Sequence, residues 1–105
     1  MASALVQRVV NRAYISLMVK EVVAESLCIS VNDIADDEVF LVSGLRADPV
    51  DLLDIMDKVG KKFGLIPLLS QDEMEHLRDN PKARSQLSVR SICDLVRRQL
   101  DLQAQ

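Results

Sequence analysis

Apolar residues recur along this chain at three- and four-residue spacings, and nowhere do they alternate strictly with polar ones. A period near 3.6 places side chains on one face of a helix, whereas a strand needs a period of two. The three glycines and three prolines all fall between residues 44 and 81, so breaks are expected there and long helices on either side. The sequence predicts an all-α fold. With 105 residues, one domain spanning 1–105 is expected, because chains divide only beyond ~250 residues.

Charge and composition narrow the function. Thirteen basic and 16 acidic residues give a net charge of −3, and aromatics make up 3% with no Trp. Neither the basic footprint nor the stacking platforms of a nucleic-acid binder are present. This balance weakly favours basic partners. No apolar run approaches the ~20 residues of a membrane span, and a cytoplasmic location is expected. Arg8, Arg12 and Lys20 precede the first acid, Glu21, a pattern that organelle transit peptides share; a helix is the preferred reading. Cys28 and Cys93 lack CxxC spacing and have apolar neighbours, so both are expected to be reduced core residues. Two thiols and the single His76 do not make a metal site. His76 has no Ser/His/Asp or Cys/His company and is expected in solvent; the chain is not expected to be an enzyme.

The first stretch, Ala2 to Leu27, carries two apolar stripes: Leu5, Val6, Val9, Val10, Ala13 and Leu17, then Ile15, Val19, Val22, Val23 and Leu27. They are out of phase. Either a helix here bends near Tyr14–Leu17, or its first half, the extension 1–14, buries against a partner or a twin subunit. Ile29 to Ala47 reads as a long connection, with Val31, Ile34, Val39, Phe40 and Leu45 expected to pin it to the core. Asp48-Pro49 then opens a helix, since Asp is a strong N-cap and Pro is favoured at the first helical position. Leu52, Ile55, Met56, Val59 and Phe63 form its core stripe, Val50, Asp54, Asp57 and Lys61 face away, and Gly64 ends it. Acids at its start and Lys58, Lys61 and Lys62 at its end match the helix dipole. Ser70 to Glu73 is a capping box opening a short helix, Arg78 to Gln86 reads as a loop, and Ser88 caps a final helix with Val89, Ile92, Cys93, Val96 and Leu100 inward.

This order of elements resembles the acyl carrier proteins. Val19 to Glu25 is similar to that family's first helix. Phe40 followed by Gly44-Leu45-Arg46-Ala47-Asp48-Pro49-Val50-Asp51-Leu52-Leu53-Asp54-Ile55 resembles its central motif, normally Asp-Ser-Leu. Phe63-Gly64-Leu65-Ile66-Pro67 resembles the phrase closing the second helix, and Ser88 to Val96 the start of the last. The likeness runs from about Val19 to Leu100. It implies a four-helix bundle with a long loop between the first two helices, here preceded by an N-terminal helical extension.

Three departures stand out: Phe40 lies one residue further from the motif, the loop after Arg78 is longer, and Pro49 occupies the position of the serine that carries 4′-phosphopantetheine. Attachment joins a side-chain oxygen to phosphate, and proline has no such oxygen. The resemblance therefore implies a carrier-like module without its prosthetic group, acting by docking onto protein partners with a basic patch through Asp48, Val50, Asp51, Asp54 and Asp57. The alternative is a working carrier in fatty-acid, lipid or secondary-metabolite synthesis, bearing 4′-phosphopantetheine at an unconventional residue such as Ser43, or a Ser-to-Pro variant of one. A third reading is a bundle that holds a fatty chain non-covalently.

Overall fold

The computed structural model describes residues 11–104. Among these, five α-helices and one 3-10 turn follow one another: α1 (Arg12–Leu27), the turn Val31–Asp33, α2 (Pro49–Phe63), α3 (Gln71–Asp79), α4 (Pro81–Ser85) and α5 (Val89–Ala104). The all-α expectation holds for these residues, with Phe40 and Ser88 making an isolated antiparallel bridge.

α1 begins later than its apolar pattern suggests. Asn11 is extended, at φ −97° and ψ 177°, and its side chain accepts a hydrogen bond from the Tyr14 backbone N–H. A short amide side chain satisfies the first-turn donors best from outside the helix, so it starts one there instead of continuing one. The break in phase thus falls at Asn11, and α1 runs unbroken through Tyr14–Leu17. Leu5, Val6, Val9 and Val10 lie outside the described residues. Of the second stripe, Ile15, Val19, Val22 and Val23 are buried, and α1 packs against α2 and α5. Ala13 and Leu17, from the first stripe, are exposed.

Cys28 corrects the expectation of a core thiol. It ends α1 in the left-handed region at φ 56°, its N–H capping Ala24 and Glu25 carbonyls, and it is exposed. Leaving the helix at this residue turns its side chain off the buried face. Cys93 is buried as predicted, and burial pushes its thiol up to about 12, with Asp37 and Asp94 adding to the effect.

The long connection is anchored by Ile34, Leu41 and Ala47, all buried, with Val31, Val39, Val42 and Leu45 packed partly against the core. Phe40 is the exception. It is 44% exposed, because successive residues of an extended segment point to opposite sides. The Leu41 N–H bonds the Leu87 carbonyl and the Val89 N–H bonds the Val39 carbonyl; with Leu41 inward, Phe40 faces out. Gly44 closes the following turn. A Cβ there would meet the Phe40 carbonyl oxygen at 2.6 Å.

α2 follows its expected pattern. Leu52, Ile55, Met56 and Val59 are buried, each aliphatic side chain stabilising the fold by roughly 1.5–3 kcal/mol relative to exposure. Phe63 is half-buried and meets Tyr14 edge-on, ring centroids 6.3 Å apart. Gly64, at φ 69°, caps the helix.

The segment after Arg78 is not a loop. α3 continues to Asp79, and the Asn80 side chain accepts from the Lys82 and Ala83 N–H groups to start α4, with Pro81 in its first turn. Asn80-Pro81 repeats the local logic of Asp48-Pro49. The Arg84 guanidinium donates to the Leu77 and Arg78 carbonyls, satisfying acceptors that the end of α3 leaves open. Ser88 caps α5, accepting from the Ser91 N–H at 3.2 Å. Val89, Ile92, Cys93 and Val96 are buried, while Arg90, Arg97 and Arg98 are exposed as expected.

Candidate functional site

The residues singled out from sequence gather at the start and outer face of α2. Asp48 sits at φ −88° and ψ 172°. Its carboxylate accepts from the Asp51 N–H at 2.8 Å, and the Asp51 carboxylate accepts from the Asp48 N–H at 3.1 Å. Two carboxylates therefore close a reciprocal cap on α2, a role in which either costs about 1 kcal/mol to lose. Pro49, between them, is exposed and offers no N–H, which the first helical position does not need. Val50 is 74% exposed.

Further along, Asp54 accepts from the Ser26 hydroxyl at 3.3 Å and pairs with the Lys58 ammonium at 3.1 Å. Asp57 pairs with Lys61 at 3.0 Å. Both are i,i+4 pairs in solvent, contributing ~0.3–0.5 kcal/mol each. That is small enough for a basic partner to displace the lysines. Asp48, Val50, Asp54 and Asp57 are exposed and Asp51 is half-buried, and their charge is divided: among the described residues the first-turn acids engage only backbone, and the second half carries its own counterions.

Ser43, the alternative attachment residue, is exposed in the turn before α2. It is separated from the helix start by Arg46, at φ 60°, and by Ala47, whose N–H bonds the Leu41 carbonyl at 2.8 Å. Its hydroxyl is presented by a pinned turn and not by a helix tip. His76 lies exposed on α3, and no group of three or more metal-ligating side chains forms among the described residues.

Sequence reasoning missed Asp37. Its carboxylate accepts from the Ser16 hydroxyl at 2.7 Å and pairs with the Lys20 ammonium at 3.1 Å, while its carbonyl accepts from the Arg90 N–H at 2.7 Å. One residue of the connection so joins α1 to α5. The Ser16 hydrogen bond, helped by Lys20 and Arg90, holds its carboxyl below the usual carboxylate range against the opposing push of burial. No spacing in the sequence announces this, because the partners lie 17 to 53 residues away in the chain (37 − 20 and 90 − 37).

No described helix is long and apolar enough to cross a membrane. Compared with protein-family models, curated proteins and solved structures, the chain matches none.

Proposed function

We propose that this chain is a carrier-like helical module that carries no phosphopantetheine and works by docking, through the outer face of α2, onto a protein with a basic patch. The observation that carries the reading is Pro49. It stands in the first turn of α2 where the resemblance to acyl carrier proteins puts the loaded serine, and it brings no hydroxyl. Two features support docking as the remaining role. Val50 is held in solvent beside acids, where a purely solvated helix gains nothing from an apolar side chain. Among the described residues, Asp54 and Asp57 are countered only by weak local pairs. Lys58, Lys61 and Lys62 orient such a partner, since a basic patch is attracted at the start of α2 and repelled at its end.

Incubation with coenzyme A and a promiscuous phosphopantetheinyl transferase, followed by intact-mass measurement, tests the central point. The mass is expected to stay unchanged. A stable gain of the arm overturns the reading, and its location at Ser43 would establish the working carrier instead.

A further inference from the structure

Two hollows meet along α3. The first is a groove of about 380 Å³ whose floor is Met56 of α2 and Leu77 of α3, both buried, and whose walls are the half-buried Leu69, Ala83, Leu87 and Leu95. The second is bordered by Glu75, Asp79 and Asn80, and Asp72 and His76 line both. Residues 72, 75, 76 and 79 share one face of α3 at helical spacing. An aliphatic groove thus runs out onto carboxylates. Their charges are unevenly engaged: Arg78 donates twice to Asp79, and Glu73 has Arg98 of α5 and the Ser70 N–H. Asp72 and Glu75 form no ion pair among the described residues, and Arg78 acts on Glu75 only at longer range.

Shape excludes some occupants and charge excludes others. The exposed large apolar side chains among the described residues are Tyr14, Leu17, Phe40, Val50, Ile66 and Leu102, and none of them lines the groove. Its apolar surface is recessed, so a broad protein face does not reach it and a narrow aliphatic chain does. Its volume lies within the ~300–1,000 Å³ of small-molecule sites. At the edge, an ammonium offers three donors and a positive charge to Asp72 and Glu75, whereas the carboxylate of a fatty acid meets like charge there.

We propose that this groove binds an aliphatic primary amine, with the chain against Met56, Leu77, Leu87 and Leu95 and the ammonium against Asp72 and Glu75. Burial of the chain supplies the affinity, and the two carboxylates select the head group. The site is independent of the docking role proposed for α2, since the inward Met56 is the one residue of that helix that lines it.

Isothermal titration of the full chain with n-octylamine at pH 7, where the amine is protonated, reads the site directly. Saturable one-to-one binding is expected, weakening about fourfold for each methylene removed from octylamine to butylamine. Octanoate should bind at least about fivefold more weakly than octylamine, with octanol between the two. Asp72→Asn with Glu75→Gln should weaken octylamine about fivefold and leave octanol unchanged. Ala83→Leu, which fills the groove, should weaken amine and alcohol alike. Asp72 and Glu75 are exposed, so the first variant keeps the fold and reads the charge whatever Ala83→Leu does to stability. No saturable binding of octylamine, octanoate binding as tightly as the amine, an affinity flat along the chain series, or an octylamine affinity indifferent to Asp72→Asn with Glu75→Gln would each overturn the proposal.

Discussion

The connection from Cys28 to Ala47 and the outer face of α2 reverse the usual relation between regularity and restraint. The connection has only one 3-10 turn, yet Ile34, Leu41 and Ala47 are buried in the core and Asp37 reaches both α1 and α5. The α2 face is regular helix, yet Val50, Asp54 and Asp57 touch little beyond their own helix and Ser26. Restraint here follows buried area and long-range hydrogen bonds, not secondary structure. The irregular segment ties α1 and α5 to the core, and the regular surface stays in solvent.

Leu41→Ala attacks the contrast hardest. Leu41 is fully buried, and emptying its site should cost about 3 kcal/mol, read as a fall in the thermal midpoint; a loss below about 1 kcal/mol would show that the connection is not a core element. Asp37→Asn comes next, at about 1.5 kcal/mol near neutral pH, because it weakens hydrogen bonds to a charged group. Its pH dependence has a fixed sign. The folded carboxyl titrates below its unfolded value, so its stabilisation is present above about pH 4 and is lost as the pH falls through the folded value. The gap between wild type and Asp37→Asn, followed by denaturant titration, should therefore close in acid; a gap constant down to pH 2 contradicts the assignment. The smallest change belongs to Asp54→Asn with Asp57→Asn. Removing two solvent-exposed pairs should shift stability by less than about 1 kcal/mol and leave helicity intact, and a larger loss would mean that this face is structural.

Much of this was legible in the chain. Asp48-Pro49, Ser70 to Glu73, Gly64 and Ser88 are local signals, each complete within four or five residues, and the structure forms every cap where they stand. Asn80-Pro81 carries the same cap chemistry, but the polar residues around it give a loop the stronger local signal. Phe40 and Cys28 depart from expectation for a different reason. Apolar character says that a residue can be buried, and the backbone direction at that point decides whether it is. The outer face of α2 was legible as positions but not as electrostatics, since the pairing of Asp54 with Ser26 requires α1 to lie beside the start of α2.

The sequence by itself determined the helical class, the caps and the inward stripes, since these depend on spacings within a turn or two of helix. It also determined that the first position of α2, Pro49, presents no hydroxyl, which no fold can supply. Tertiary structure alone decided the partners of Asp37, the outward turn of Phe40 and the aliphatic groove that Met56, Leu77 and Leu95 line together. Those features join residues far apart in the chain, and only packing sets which distant groups meet and which apolar surface is left uncovered.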